Sequence, residues 1–132
     1  MVPCAAARCR WPRRSHRDGT GRRDLFQLDH DLFLPPRGCF DDLFNHSCEP
    51  SCGWHLTSQG ARFVAIRDVG SGEELTYDYS CHLLGGDEDM ECACDAHSCR
   101  GIIGPFATLP PALQCHYRGL EVISPALLRH DG

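Results

Sequence analysis

The spacing of three cysteines in the second half of this sequence limits its possible folds more than any other feature. Cys92, Cys94 and Cys99 lie within eight residues, and the 132-residue chain contains ten cysteines. Such a density indicates either a disulfide framework or metal sites. Arginines and cysteines interrupt the first residues, so no apolar run of signal-peptide or membrane length is present there. We therefore expect an intracellular, reducing setting, in which metal ligation explains the cysteines better than disulfides.

The three clustered thiolates are one ligand short of the four that a structural zinc site requires. On ligand chemistry alone, the fourth ligand could be His97 inside the cluster, or a distant cysteine that the fold brings in. Three such cysteines are candidates: Cys48, Cys52 and Cys81. The sequence therefore predicts one structural zinc ion and leaves its fourth ligand open.

Composition and turn signals predict a single domain that is mainly β with short helices. The chain is too short for two ordinary domains, glycine and proline are abundant, and helix-period stretches are few. Residues 54–57 and 61–66 flank Ser58-Gln59-Gly60, which predicts a hairpin. Both faces of its second strand are apolar, so we expect that strand to be buried on both sides.

Other elements are predicted from local patterns. We expect one or two strands within residues 25–34, a loop or single helical turn over residues 45–50, and a third strand over residues 74–79. Residues 84–89 read as a loose acidic loop. Ser124 is a suitable N-cap and Pro125 a suitable first helical residue, so residues 124–130 are predicted to form a short terminal helix.

The charges divide the chain into two parts. Residues 1–23 hold seven arginines and one acidic residue, whereas the remainder holds six arginines and 17 acidic residues. We expect residues 1–24 to form a basic, flexible arm. The acidic body suits a basic partner, although its charge could serve solubility alone. The arm has no interleaved aromatic residue except Trp11, so direct nucleic-acid binding is not expected.

Three ordered segments carry a resemblance to a known family. Residues 44–50 read FNHSCEP, residues 72–79 read GEELTYDY, and residues 92–101 read CACDAHSCRG. They resemble the two carboxyl-terminal motifs of SET domains and the post-SET motif. The resemblance implies part of a SET-type β-fold with a pseudoknot. Residues 25–85 would be the carboxyl-terminal part of the SET domain, residues 86–108 a zinc-binding post-SET segment, and residues 109–132 a tail with a short helix.

The resemblance implies methyl transfer from S-adenosylmethionine to a lysine side chain of a protein substrate, which would be a histone-like or other basic protein or peptide. Tyr79 matches the catalytic tyrosine, whose hydroxyl lies where the lysine nitrogen meets the methyl group. Tyr77 matches the position that limits how many methyl groups are added. On the residues alone, both tyrosines could also be core residues that share one face of a strand with Leu75.

The same resemblance assigns cofactor and metal ligands. Asn45 and His46 would contact S-adenosylmethionine, with the His46 backbone at the adenine, and Ile102 or Ile103 would lie near that ring. Zinc would be held by four cysteines: Cys48, Cys92, Cys94 and Cys99. On the residues alone, Asn45 could only cap a turn, His46 could be a packed residue, and the isoleucines could belong to the core.

The sequence departs from the family in its first half. Gly19-Thr20-Gly21 matches the letters of the family's Gly-x-Gly cofactor segment, but it precedes Arg22-Arg23-Asp24 instead of a hydrophobic strand and is taken as a chance match. Ser51 replaces the family's usual asparagine, which could weaken a turn or a cofactor-side hydrogen bond. We therefore expect a chain truncated on its amino-terminal side.

Truncation leaves a second function open, that of a non-catalytic, zinc-stabilised SET-like interaction module. No membrane partner is expected. The expected location is the cytoplasm, or the nucleus and chromosomes if the organism is eukaryotic.

Overall fold

The structure is a computed structural model, and it describes residues 3–5, 26–29, 32–34, 44–57, 60–84 and 89–129. Within these ranges the chain forms nine short strands, two 3₁₀ helices and two α-helices. The strands are β1 (Pro3–Ala5), β2 (Phe26–Asp29), β3 (Leu32–Leu34), β4 (Asn45–His46), β5 (Cys52–Thr57), β6 (Gly60–Ala65), β7 (Thr76–Tyr77), β8 (Met90–Glu91) and β9 (Ile102–Ile103). The 3₁₀ helices are Tyr79–His82 and Phe106–Thr108, and the α-helices are α1 (Pro111–Leu120) and α2 (Pro125–Arg129).

The predicted fold class, mainly β with short helices, is confirmed. The largest described sheet has the order β1-β6-β5, and β5 and β6 form the predicted antiparallel hairpin. Its turn residues Ser58 and Gln59 lie outside the described residues, as do residues 85–88 of the predicted acidic loop. Strands β2 and β3 pair antiparallel within residues 25–34, where one or two strands were predicted.

The predicted basic arm is described only in part. Its residues Pro3–Ala5 form β1, which pairs with β6. The other residues of the arm, among them Gly19-Thr20-Gly21, lie outside the described residues.

Strand β6 carries a hydrophobic cluster on each of its two faces. Phe63 and Val64 are successive residues, which point to opposite sides of a strand, and both are buried. Phe63 belongs to the aromatic cluster: Cys52, Trp54, Phe63 and Tyr77, with Phe44, Leu56, Ala61, Leu75 and Tyr79 packed against them. Val64 belongs to the helix-side cluster: Val64, Cys81, Phe106, Leu109, Tyr117, Val122 and Ile123. The prediction that this strand is buried on both faces is therefore confirmed.

The predicted strand over residues 74–79 is wrong in its extent. Only Thr76–Tyr77 pairs as a strand, and Asp78 is the N-cap of the 3₁₀ helix that begins at Tyr79. The Asp78 carboxylate accepts a hydrogen bond from the Ser80 N–H, a local bond that competes with strand geometry. Tyr77 and Tyr79 consequently do not share one strand face with Leu75.

The predicted loop or helical turn over residues 45–50 is also wrong at its start. Asn45 and His46 form β4, which pairs in parallel with β7, and Asn45 is opposite Thr76. This strand could not be predicted from the sequence, because two residues are too few to show the alternation of apolar and polar side chains that identifies a strand.

The carboxyl-terminal region contains two helices where one was predicted. Helix α2 corresponds to the predicted terminal helix, and α1 was not predicted. Within α1, Tyr117 is buried, and Leu113 and Leu120 pack partly buried against the helix-side cluster, so the helix has an apolar stripe at helical spacing. It ends at Leu120, and its C-cap Glu121 is left-handed with φ 57°; the Glu121 N–H donates to the carbonyls of Arg118 and Tyr117. No helix among the described residues is long and apolar enough to cross a membrane.

Candidate active site and metal centre

The parallel pairing of β4 with β7 brings two of the sequence motifs together. The Ser47 N–H donates to the Tyr77 carbonyl at 3.1 Å and extends this pairing by one residue. Ser51, which is fully buried, connects the first motif to the residues around β7 through hydrogen bonds. Its hydroxyl accepts from the Thr76 N–H at 3.0 Å and lies 3.2 Å from the Glu74 carbonyl oxygen, to which it donates. Ser51 therefore supports the junction between the motifs in this chain.

Tyr79 lies half-buried beside this junction. Its hydroxyl donates to the Phe44 carbonyl at 2.7 Å, and its N–H donates to His46 Nδ1 at 3.1 Å. Burial, and secondly the charge of Glu74, raises the pKa of the Tyr79 hydroxyl. The hydroxyl is therefore protonated at neutral pH and can donate one hydrogen bond while its oxygen accepts another.

Tyr77 is buried in the aromatic cluster, next to Tyr79. The centroids of the two tyrosine rings are 4.7 Å apart. Trp54 and Phe63 contact Tyr77 edge to face, at centroid distances of 6.1 and 6.2 Å. The structure thus brings the two predicted catalytic tyrosines side by side, with Tyr77 on the interior side.

His46 connects Tyr79 to the cysteines. Because Nδ1 accepts the Tyr79 N–H, the ring proton is assigned to Nε2, which lies 3.4 Å from Cys48 Sγ. Burial lowers the pKa of His46 to about 4, with an opposing contribution from the Asp78 charge and a smaller lowering by Arg100. The imidazole is therefore neutral at physiological pH.

Asn45 is exposed on β4, and its side-chain N–H donates to Glu74 at 2.6 Å. The two isoleucines proposed for the cofactor lie on β9, which pairs with β8. Ile102 is 51% exposed, whereas Ile103 is buried. Asn45 and Ile102 can therefore contact a bound ligand through their side chains, and the Ile103 side chain is packed inside the protein.

The cysteines of the first and third motifs converge on one point. Cys92 Sγ lies 3.7 Å from Cys48 Sγ and 3.7 Å from Cys99 Sγ. Four sulfurs arranged tetrahedrally about 2.3 Å from a zinc ion are about 3.8 Å apart. The ligand atoms of His46, Cys48, Cys92 and Cys94 also lie within 4.8 Å of one another. The spacing fits a tetrahedral zinc ion.

His46 is a further member of this cluster that the sequence did not predict. Its position two residues before Cys48 could have indicated this, because side chains two residues apart in an extended segment point to the same side. The other three candidates lie elsewhere: Cys52 in the aromatic cluster, Cys81 in the helix-side cluster, and His97 at the surface.

Backbone N–H groups surround the clustered sulfurs. Cys94 Sγ accepts from the Cys48 N–H, Cys48 Sγ from the Arg100 N–H, and Cys99 Sγ from the Gly101 N–H, each at 3.4 Å. Such donors stabilise thiolates and orient metal ligands. Although burial opposes it, the hydrogen bonds lower the pKa of Cys94 to about 6, whereas burial raises that of Cys92 to about 12. Neighbouring thiolates repel one another, and a divalent cation removes this repulsion.

Asp78 is a further site residue that the sequence reading missed. It lies between Tyr77 and Tyr79, and its side chain is fully buried. Its carboxylate accepts hydrogen bonds from the Arg100 guanidinium and the Tyr117 hydroxyl, both at 2.9 Å. In the sequence, only the position of Asp78 between the two tyrosines indicated that it could belong to the site.

Comparison with known proteins extends these observations. The family model of the SET domain matches residues 4–80, so the match ends before the cysteine segment. A "Histone-lysine N-methyltransferase, H3 lysine-4 specific" of Kluyveromyces lactis is 35% identical over 94 residues, which cover 66% of this chain and 9% of the relative. "Histone-lysine N-methyltransferase set-2" of Caenorhabditis elegans is 37% identical over 93 residues, covering 66% of the chain and 6% of the relative.

A third relative matches over a shorter stretch. "Histone-lysine N-methyltransferase ash1" of Drosophila melanogaster is 42% identical over 64 residues, covering 46% of the chain and 3% of the relative. The chain spans less than a tenth of the length of these curated relatives.

Proposed function

Since this chain belongs to the SET-domain family, we propose that it transfers methyl groups from S-adenosylmethionine to a lysine side chain of a protein substrate. The observation that carries this proposal is the pairing of β4 with β7, which places Asn45 and His46 beside the segment that holds Tyr77 and Tyr79. The relatives are named as histone-lysine methyltransferases. We therefore propose a histone or a similarly basic protein as substrate, and a nuclear, chromatin-associated location.

Tyr79 is the proposed catalytic residue. When bound, S-adenosylmethionine supplies the electrophilic methyl group, and the lysine must be neutral to attack it. The Tyr79 hydroxyl donates to the Phe44 carbonyl, so its oxygen is left to accept a hydrogen bond from the lysine amine. This contact orients the amine, and alignment of this kind accounts for much of the rate enhancement in transfer reactions.

Tyr77 is the proposed determinant of how many methyl groups are added. Its ring is buried against Trp54 and Phe63 and lies 4.7 Å from the Tyr79 ring, so its position is tightly constrained. A fixed phenol beside the amine limits the room for methyl groups already attached. A phenylalanine at this position would provide more room.

The proposed cofactor contacts are Asn45, His46, Ile102 and Ile103. Support comes from the exposed side chains of Asn45 and Ile102. The His46 side chain is 5% exposed, so His46 would act through its backbone. The buried Ile103 would act only by keeping β9 in place.

The proposed zinc ligands are Cys48, Cys92, Cys94 and Cys99. The two 3.7 Å sulfur separations and the backbone N–H donors support them. His46 Nε2 lies 3.4 Å from Cys48 Sγ, but it carries the ring proton while Nδ1 accepts the Tyr79 N–H, so His46 would donate to the Cys48 sulfur instead of binding the metal. The metal would connect the cysteine segment to the residues that follow β4.

Mass spectrometry of a histone H3 peptide spanning lysine 4, incubated with the zinc-loaded chain and S-adenosylmethionine, tests the proposed function. The chain contains no lysine, so every methyl-lysine detected belongs to the substrate. Tyr79→Phe should lower the rate at least about tenfold, on the order of one positioned catalytic hydrogen bond. Tyr77→Phe makes the same chemical change two residues away and should retain transfer while raising the degree of methylation.

Two results would contradict the proposal. One is the absence of methyl transfer to the H3 peptide and to intact core histones by the zinc-loaded chain, which would favour the interaction-module alternative. The other is full activity in Tyr79→Phe, which would remove this tyrosine from the reaction.

A further inference from the structure

Asp78 is a buried carboxylate with several hydrogen-bond partners. Its side chain is fully buried, and a buried charge is costly unless it is paired and hydrogen-bonded. Oδ1 accepts from the Arg100 guanidinium at 2.9 Å and from the Ser80 N–H at 3.0 Å. Oδ2 accepts from the Tyr117 hydroxyl at 2.9 Å. The carboxylate is therefore satisfied by three separate parts of the chain.

Arg100 links Asp78 to the cysteines. It follows Cys99 directly, and its backbone N–H donates to Cys48 Sγ at 3.4 Å. The same residue thus contacts a sulfur through its main chain and the Asp78 carboxylate through its guanidinium. A displacement of the segment around Arg100 would therefore also displace the guanidinium that pairs with Asp78.

Tyr117 links Asp78 to helix α1. It is the only residue of α1 that is fully buried, and its ring lies in the helix-side cluster. Its hydroxyl bond to Asp78 joins positions 39 residues apart. The docking of α1 is therefore connected to the segment that precedes Tyr79.

Asp78 also sets the direction of the chain at Tyr79. It is extended, with φ −84° and ψ 111°, and caps the 3₁₀ helix that begins at Tyr79. The Tyr79 N–H then donates to His46 Nδ1, which lies 3.6 Å from Asp78 Oδ1. Since that nitrogen accepts the Tyr79 N–H, Arg100 is the cationic partner of Asp78 and His46 is not.

We propose that Asp78 is a positioning residue for Tyr79. It fixes the turn between Tyr77 and Tyr79, and it connects that turn to the cysteine segment through Arg100 and to α1 through Tyr117. Its kinetic consequence rests on the proposed function, whereas its effect on the Tyr79 backbone does not.

Asp78→Asn is the principal test variant. It preserves the side-chain volume and one oxygen acceptor while removing the charge that pairs with Arg100. Displacement of a catalytic group by about 1 Å can cost on the order of 100-fold in rate, so we expect kcat for methyl transfer to fall about 10- to 100-fold. The KM for the lysine peptide should change less than about threefold, because Asp78 is buried away from any substrate surface.

Two milder variants and one control accompany it. Tyr117→Phe removes only a hydroxyl, and Arg100→Gln replaces the charged donor with a neutral amide; each should lower kcat several-fold. Arg67→Gln is the matched control, since Arg67 and Glu73 form an exposed ion pair near the start of the same motif. It should leave kcat within about twofold, as expected for exposed ion pairs of small energy.

A second readout is independent of activity. The chain contains three tyrosines, and all three lie in or beside this network, so a ¹⁵N-tyrosine-labelled chain gives three amide signals that single Tyr→Phe variants assign. In zinc-loaded Asp78→Asn and Arg100→Gln, the Tyr79 signal should shift and its hydrogen exchange should accelerate at least about tenfold. Arg67→Gln should leave it in place.

The outcomes separate the two proposals. Absence of methyl transfer by the wild-type chain defeats the proposed function and leaves the amide readout to decide this inference. An unchanged Tyr79 signal in Asp78→Asn and Arg100→Gln overturns the inference, as does unchanged kcat in either variant. If Asp78→Asn does not fold, the Tyr79 signal and kcat of Arg100→Gln and Tyr117→Phe decide in its place. A kcat loss accompanied by an equal loss of bound zinc would indicate a purely structural role and count against the inference.

Discussion

The substitution Gly53→Ala tests how the residues after α1 pack against the central hairpin. Gly53 lies on β5, and a Cβ added there would lie 2.7 Å from both Cβ and Cγ1 of Val122. Val122 is 1% exposed within the helix-side cluster, so it has little room to withdraw. Overpacking of this kind costs about 1–3 kcal/mol. The reduced freedom of the unfolded chain returns about 0.4–1 kcal/mol.

We therefore expect Gly53→Ala to lower the free energy of unfolding by about 1–2 kcal/mol. For a chain of this length the midpoint of thermal unfolding should fall by about 3–10 °C. Circular dichroism of the zinc-loaded chain during thermal and urea unfolding measures both quantities. Gly119→Ala is the matched control: no atom lies within 4 Å of the added Cβ, and the site is helical, so stability should rise by up to about 1 kcal/mol.

A double-mutant cycle identifies the contact. In a Val122→Ala background the cost of Gly53→Ala should fall, because Cγ1 and Cγ2, two of the three atoms that the added Cβ meets, are gone while the Val122 Cβ remains. A Gly53→Ala chain as stable as the wild type would refute the close approach of β5 to Val122. An undiminished cost in the Val122→Ala background would place the cause elsewhere.

Three further predictions concern the motif junction, the cysteines and acid stability. Ser51→Ala removes the bonds that hold β7 and should cost about 1–3 kcal/mol in urea unfolding; the exposed Ser98→Ala should cost almost nothing. Cys99→Ser should reduce bound zinc, measured by atomic emission, from about one ion per chain to well below half, whereas the exposed Cys115→Ser should retain it; full occupancy in Cys99→Ser would assign the fourth position to another donor. Burial lowers the pKa of His82 to about 3, so the unfolded chain binds this proton first, and His82 should contribute a loss of about 1.4 kcal/mol of stability per pH unit as the pH falls from 6.5 to 3. The lowered pKa of His46 adds a loss of the same sign down to about pH 4. His82→Gln should therefore make the slope shallower by about 1.4 kcal/mol per pH unit, and an unchanged slope would refute the assignment.

The hairpin was predictable because its signals are local. Alternating and β-branched residues on both sides of a glycine-containing turn determine β5 and β6 without reference to the rest of the chain. The two apolar faces of β6 likewise indicated burial on both sides. Helix α1 had usable local signals that the prediction did not include: proline at its first position, and the apolar residues Leu113, Tyr117 and Leu120 at helical spacing.

The predicted strand over residues 74–79 illustrates what local sequence patterns miss. The run from Leu75 to Tyr79 is rich in strand-forming residues, yet Asp78 turns the chain into a 3₁₀ helix. Its partners Arg100 and Tyr117 are 22 and 39 residues away in sequence. No local pattern contains such contacts.

The cysteine site shows the same limit. Spacing alone left four candidates for the fourth zinc ligand, and only the family resemblance pointed to Cys48. The structure adds the 3.7 Å separation from Cys92 Sγ and places His46 beside the cysteines. Both observations depend on the pairing of β4 with β7, which propensity cannot predict over two residues.

Calorimetric titration of the zinc-loaded chain with S-adenosylmethionine tests most directly the claim that these motifs form a methyltransferase site. We expect saturable binding with about one site per chain, and we expect Asn45→Ala to weaken this binding and Arg67→Gln to leave it unchanged. The absence of saturable heat up to millimolar cofactor, in a chain shown to be folded and to contain one zinc ion, would contradict it.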